Sequence, residues 1–590
     1  MVKGKSGVIR RDWRWLLTRL SLLIAAVTVS CLSSRAAQQS QVAGGGKGQF
    51  DCLVKDYFAY AFAKNPTWAT EVGVHTYDSA LEDFTEPSVV QNIQADRRFL
   101  KSLEAIDAGE LNAVSALDYP LLKSHLLADL LELEQVAMWR RNPDFYSSLA
   151  SSSVYALIKR DFAPLSQRLK LVIARERQIP ELLLAGRKNM TNPPAVYTQV
   201  ALEQIPGIID FFAQSVPAAF STVGDEKLKG ELAAVNGQVL ASLESYRQFL
   251  KEDLSLRSTG SFAIGSELFA KKLLYDEMVD EPLDQLLARG QAELTRLQNR
   301  FVETAHKINP SLPAADVFRL LAADHPQPSE LIASTQDVLE MIRSFCIDKK
   351  ICSIPSEKRV QVEETPPFER ALTFASMDTP GPMEEKATEA YYHVTLPDPH
   401  WSKEKIEEHM RAFSRLDLIN TSVHEAYPGH YVQFLWLKQA PSLVRMLIGS
   451  NTNCEGWAHY CEEMMLDEQL GGADNKLRLV QLHDALLRVC RYLVGIRMHT
   501  AGMTVDQGVN FFMKEGWQEK ANAERETKRG TFDPTYLYYT LGKMEILSLR
   551  ADYQQSRGGK FTLKEFHDQF LAQGYPPLKI VRAALLGVSR

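Results

Sequence analysis

The sequence predicts a mostly α-helical protein, arranged as two helical lobes with at most a small β-sheet near the active site. Two observations carry that expectation. Apolar residues recur at spacings of three and four, as in "LDQLLARGQAELTRL", where Leu283, Leu286, Leu287, Gly290, Leu294 and Leu297 share one helix face. "YPLLKSHLLADLLELEQVAMW" and "LRLVQLHDALLRVCRYLVGIRMH" read the same way. Alternating strand-like runs, by contrast, are few, and the best are "KRVQVEET" and "AYYHVTL". No fixed repeat period is evident, which argues against a solenoid.

Taken from the N-terminus, residues 1 to 19 carry Lys3, Lys5, Arg10, Arg11, Arg14 and Arg19, followed by the apolar run "LSLLIAAVTVSCL" and by small residues around Ala36. This is the layout of a secretory signal peptide over residues 1–36. The apolar run is shorter than the ~20 residues of a spanning helix, so the mature chain is expected to have no transmembrane helix. Cys31 offers lipid attachment as an alternative anchor, although the preceding "TVS" departs from the usual Leu-Ala-Gly pattern. Either route makes the protein exported, periplasmic or extracellular. Residues 37–49, with "QQSQVAGGGKGQ", read as a flexible linker, and order is expected to begin near Phe50. A helical lobe over 50–260 is followed, after "RSTGSFAIGSE", by a C-terminal lobe over 261–590 that holds the candidate chemistry.

With 45% hydrophobic and 24% charged residues over 590 positions, the chain can bury a large core and fits neither disordered nor membrane-spanning classes. Its formal charge of −6, with no strongly basic stretch beyond the first forty residues, excludes nucleic acid as an expected partner. Neither Cys346 with Cys352 nor Cys454 with Cys461 has metal-type CxxC spacing, so these read as structural or free.

"TSVHEAYPGHYVQF" concentrates the chemistry. His424 and His430 are six residues apart, which on an ideal helix turns the second away by about 240°. Pro428 and Gly429 lie between them, and Pro428 cannot donate to the carbonyl of His424. One reading is a wide turn that brings His430 back toward His424 to grip one metal ion; the other is a helix that ends at Tyr427 with two unrelated histidines. Downstream, "NTNCEGWAHYCEEMM" places Glu455, His459 and Glu462 on one face of an apolar helix, where buried carboxylates need partners. A catalytic zinc takes three protein ligands and keeps a position open, and carboxylate is a common third ligand. Glu462 suits a supporting role, accepting a hydrogen bond from a ligating histidine.

"HEAYPGH", "EGWAHYCEE" and "YYTLGKMEILSLR", together with "PTWATEVGVHTYDSALED" and "IGSELFAKKLL", resemble the signature blocks of the domain of unknown function 885 family, in order along essentially the whole mature chain. The resemblance implies a gluzincin-like zinc metallopeptidase similar to thimet oligopeptidase and the thermostable carboxypeptidases, with two helical lobes around a deep substrate channel. It implies Zn2+ held by His424, His430 and Glu455, with Glu425, His499 and Tyr539 as catalytic residues, Glu425 as general base and Tyr539 as oxyanion donor. Where many members resemble "VDTGIH", this chain has "VGIRMH", with Gly495 in place of the acid. The expected activity is hydrolysis of a peptide or small-protein substrate by metal-activated water. The alternatives are a zinc hydrolase of a non-peptide ester or amide, and a catalytically inactive metal- or peptide-binding protein. Arg491, Arg497, Lys543 and Arg550 are all candidates to bind a substrate carboxylate.

Overall fold

The computed structural model describes residues 45–367, 370, 374–472 and 474–587. The expected signal peptide, Cys31 and linker residues 37–44 lie outside them. The remainder of the expected linker is not linker: helix α1 (Gly46–Lys64) begins at Gly46 rather than near Phe50.

The chain is mostly helical, with one three-stranded sheet. In the N-terminal region α2 (Ala113–Leu131) is capped by Asn112, whose Oδ1 accepts from the Ser115 N–H at 2.8 Å. Such a cap contributes about 1 kcal/mol. Most helices between Tyr146 and Leu254 close around a core of their own. The helices of residues 50–126 instead share a core with Val444, Leu447 and Ile448. That junction is pinned by a buried ion pair, Arg445 Nε to Asp118 at 2.9 Å. The expected boundary segment, residues 258–265, contains no helix and leads into α3 (Ser266–Glu277). Helix α4 (Leu283–Ile308) buries Leu286, Leu294, Leu297 and Phe301, the face its periodicity predicts.

The sheet consists of β1 (Gln361–Glu364), β2 (Ala375–Asp378) and β3 (Tyr391–Val394), in the order β1-β3-β2. β3 runs parallel to β1, with Gln361 opposite Tyr391, and antiparallel to β2, with Asp378 opposite Tyr391. "KRVQVEET" and "AYYHVTL" thus supply two strands. β2 escapes the sequence reading because "ASMD" is only four residues, too short a run for its alternation to stand out.

Six helices carry the candidate site: α5 (Arg415–Glu425), α6 (His430–Trp436), α7 (Asn451–Asp467), α8 (Asn475–Thr500), α9 (Lys520–Phe532) and α10 (Tyr538–Arg557). The N-terminus of α7 is held twice over. The Ser450 hydroxyl accepts from the Asn453 N–H, and the Glu277 carboxylate at the end of α3 accepts from the N–H groups of Asn451 and Thr452 at 3.1 and 2.9 Å. Helices α7 and α10 cross with their backbones in contact at two glycines. A Cβ on Gly542 would sit 1.9 Å from the Thr452 carbonyl oxygen, and one on Gly456 would sit 2.6 Å from Gly542 Cα. Glycine costs a helix interior about 1 kcal/mol; here the close approach brings Glu455, next to Gly456, toward Tyr539, one turn before Gly542.

A polar clasp joins the N-terminal region to the segment before β3. His75 Nδ1 lies 2.9 Å from Asp78 Oδ2 and its Nε2 2.8 Å from Glu384 Oε2, with the ring stacked on Phe162 at 4.1 Å. Burial lowers the imidazolium pKa, but the hydrogen bonds to Asp78 and Glu384 outweigh it and raise the value above the ordinary 6.5. A raised folded pKa gives stability that is complete below the unfolded value and is lost as pH rises through the folded one. The melting temperature of wild type should therefore exceed that of His75→Gln most at pH 6, and the gap should narrow as pH rises to 9. A gap independent of pH would show that the clasp is not held by charge.

Candidate metal centre

Between the two histidines the helix is interrupted, and the chain turns so that the ring of His430 comes back to that of His424. Helix α5 ends at Glu425, a second helix starts at His430, and the link coils tightly between them. Tyr427 N–H bonds to the Ser422 carbonyl at 3.2 Å and Gly429 N–H to the Val423 carbonyl at 3.1 Å, longer-range bonds than the helical ladder. Gly429 sits against the chain it has left, where a Cβ would fall 1.8 Å from the His424 carbonyl oxygen, so only glycine fits. The Trp457 indole N–H on α7 donates to the Pro428 carbonyl at 2.9 Å and fixes the link onto the third element of the site.

The result is a convergence of donors. The imidazole rings of His424 and His430 meet edge to face, 4.8 Å apart at 89°. Glu455 Oε2 lies 3.3 Å from His424 Nε2 and 3.4 Å from His430 Nε2, yet this oxygen is buried and has no hydrogen-bond partner. Two ligands each about 2.0–2.1 Å from a tetrahedral zinc stand about 3.3–3.4 Å apart. The donor set, the two Glu455–histidine distances and the orphaned carboxylate oxygen therefore suit a zinc ion, with all three donor atoms within 4.8 Å of one another. The Glu455 side chain keeps 22% of its surface exposed, so the centre is open on one side.

The electrostatics agree. Burial opposes ionisation of Glu455, but His430 and His424 hold its carboxyl well below the usual range. Burial likewise disfavours a charged His424, and Glu455 and Glu462 overcome it to lift the imidazolium to about 9. A cluster that holds protons this way exchanges them for a cation, since imidazole must be neutral to ligate.

The two histidines are backed unequally. His424 Nδ1 donates to Glu462 Oε1 at 2.7 Å, which orients Nε2 toward the centre. Glu462 is fully buried and saturated: His459 Nδ1 reaches its Oε2 at 3.1 Å and Arg488 Nη2 its Oε1 at 2.8 Å. His459 thus serves this carboxylate rather than the centre. Behind His430 the partner of Nδ1 is the Cys454 thiol at 3.6 Å, a weak acceptor. Glu425, directly after the first histidine, makes no hydrogen bond or ion pair with the described residues. Burial raises its pKa, against the lowering influence of His424 and His430.

Tyr539 joins the centre. Its ring lies 6.3 Å from that of His424, inclined by 26°. Its hydroxyl accepts from Arg529 Nη2 at 3.1 Å. Tyr538, the first residue of α10, packs beside it: the two rings lie 4.9 Å apart, and its hydroxyl also accepts from Arg529. His499 is corrected. It is buried in a different contact, with Nε2 donating to the Gly530 carbonyl at 2.7 Å and the ring against Phe262 and Phe269. Burial pushes its pKa down to about 4. It is a neutral strut between α8 and α9. Gly495 has its own reason: a Cβ there would lie 2.8 Å from the Tyr536 ring, which takes the space an acid would fill.

Of the carboxylate-binding candidates, Arg491 is locked to Glu526 by two bonds of 2.6 and 2.8 Å, Lys543 pairs with Glu463, Arg550 reaches the Tyr460 hydroxyl and Arg497 reaches Gln291. Sequence reasoning missed Arg488 and Arg529. For Arg488 the available signal was that the middle of α8 is apolar on nearly every face, so a charge there needs a partner; for Arg529, on α9, the sequence carried none.

No curated protein matches the chain. Several solved structures resemble it, among them two described as candidate lipoproteins. A candidate lipoprotein of unknown function from Shewanella oneidensis is 27% identical, with a TM-score of 0.75 over 92% of this chain and 100% of that one. A candidate lipoprotein from Colwellia psychrerythraea, 16% identical, shares the fold with a TM-score of 0.73 over 92% of this chain and 98% of that one. The bacterial family of unknown function DUF885 matches residues 66–585, blocks and centre included, and the chain belongs to that family.

Proposed function

We propose that this protein is an exported zinc-dependent peptidase. The observation that carries the reading is the meeting of His424 Nε2, His430 Nε2 and the unpartnered Glu455 Oε2 within 4.8 Å of one another, with Glu425 free beside them. Zinc bound there supplies Lewis acidity toward a substrate carbonyl and lowers the pKa of its water toward ~7. Glu425 accepts the proton of the attacking water and passes it to the leaving amine. A purely structural ion has no use for that carboxylate. Tyr539, whose ring lies 6.3 Å from that of His424 and whose hydroxyl accepts from Arg529, would donate a hydrogen bond to the developing oxyanion. Export is supported by the layout of residues 1–36 and by the description of the Shewanella relative as a candidate lipoprotein. Among the described residues, no helix is long and apolar enough to cross a membrane.

Mass-spectrometric mapping of cleavage in a mixed peptide pool, with chelator and after zinc is restored, tests the reading. Cleavage that resists exhaustive chelation, or a zinc-loaded protein that leaves the pool intact, would overturn it. Tyr539→Phe tests the oxyanion role, since it keeps the ring against His424 and removes only the donor. Its kcat should fall by about 10²-fold with zinc content unchanged. An unchanged kcat would assign Tyr539 to packing.

A further inference from the structure

Three guanidinium groups surround the Tyr539 ring, with Arg491 Cζ 4.7 Å, Arg529 Cζ 5.6 Å and Arg488 Cζ 5.9 Å from its centre. They are not equivalent. Arg491 is held by both oxygens of Glu526, and Arg488 by Glu462, itself committed to His424. Arg529 is held loosely. Its Nε and Nη2 each lie 3.3 Å from one oxygen of Asp533, and that oxygen already takes the Tyr538 hydroxyl at 2.7 Å. Its other two contacts, both from Nη2, are to the neutral hydroxyls of Tyr538 and Tyr539. Nη1 makes no hydrogen bond to the described residues, and a third of the side chain is exposed. One helical turn earlier, Arg525 stacks on Phe374 at 4.0 Å without an ion pair among the described residues. Of these two guanidinium groups of α9, only Arg529 meets a carboxylate among the described residues, at the Asp533 oxygen it shares with the Tyr538 hydroxyl.

We propose that Arg529 binds the terminal carboxylate of a peptide, so that the centre removes residues from the C-terminal end of its substrate. The inference rests on the zinc-peptidase reading and names its substrate class. A guanidinium fork with free donors matches a carboxylate in shape and charge, and neutral phenols hold it without cancelling that charge. The reach is suitable. The Tyr539 ring centre is 6.3 Å from that of His424 and 5.6 Å from Arg529 Cζ, so the guanidinium lies at most about 12 Å from the His424 ring. Part of that distance is taken by the ion and by the carboxylate contact. At about 3.3–3.6 Å per extended residue, what remains takes one or two residues beyond the cleaved bond.

The test uses zinc-loaded Glu425→Gln protein, in which cleavage is slowed about 10²-fold or more, and titrates it calorimetrically with a short peptide bearing either a free or an amidated C-terminus. The free acid should bind on the order of 10-fold more tightly or better, the scale of a charge-assisted hydrogen bond, and adding Arg529→Gln should bring the ratio near one. Arg529→Lys, which keeps a cation beside Asp533 but loses the fork, should give an intermediate ratio and covers the case in which the glutamine variant melts early. Equal affinity for both peptides, or a preference that survives Arg529→Gln, overturns the proposal. Cleavage of the peptide pool at internal bonds with no end preference overturns it too, while leaving the peptidase reading intact. An Arg529-dependent preference in a protein that cuts nothing upholds the anchor and overturns the peptidase reading.

Discussion

Glu425→Gln should retain one zinc per chain and hydrolyse peptides about 10²–10⁴-fold more slowly, the range over which a positioned general base acts. Glutamine has nearly the same shape, and Glu425 makes no hydrogen bond to the described residues that an amide would break. The proposed ligands His424, His430 and Glu455 are untouched, so metal content, measured by elemental analysis after dialysis, should not fall. What is lost is a site that can accept a proton at neutral pH. A variant that keeps more than a tenth of the wild-type rate removes Glu425 from this role. One that loses its zinc shows that the side chain acts on the ion rather than on the water.

The metal itself should depend most on Glu455. Its Oε2 is the point where both imidazole Nε2 atoms converge, at 3.3 and 3.4 Å, and it has no other partner. Glu455→Ala leaves two neutral donors and no anion, so zinc should be lost on dialysis. Glu462→Ala removes only the hydrogen bond behind His424, and the expected fall in zinc affinity is about 10–100-fold. His459→Ala should change metal content least, because its Nδ1 serves Glu462. Competition against a chromophoric chelator ranks the three. If Glu455→Ala holds zinc as tightly as wild type while His459→Ala or Glu462→Ala does not, the third ligand is misassigned.

The periodic helices were legible in the sequence because burial of one face imposes its spacing on the residues, as Leu286, Leu294 and Leu297 show. The meeting of His424 and His430 was legible in part. Pro428 and Gly429 announced that the helix could not continue, but whether the chain then strays or doubles back is decided by the Trp457–Pro428 hydrogen bond and the fit of Gly429 under His424, both tertiary. Glu462 could be assigned from the rule that a ligating imidazole needs an acceptor behind it. His499 could not, because sequence spacing along α8 does not say which neighbour its face meets, and the Gly530 carbonyl on α9 claims the ring. Arg529 went unread for the same reason. In "AERETKRGTF" it looks like one more solvated charge, and only the return of α10 sets two phenols against it.

The contact between Gly456 and Gly542 constrains how this protein can vary over evolutionary time. No side chain stands between α7 and α10 at their crossing, so no rotamer change there can absorb an added methyl group. Each glycine forbids enlargement of the other, and the two positions behave as one in mutational space, where effects at touching sites do not add. A lineage that changed either would have to move a whole helix, carrying Glu455 away from Tyr539. Diversification is thereby displaced from the crossing to its periphery, to side chains such as those on the exposed face of α9, where substitutions leave the distance between Glu455 and Tyr539 untouched.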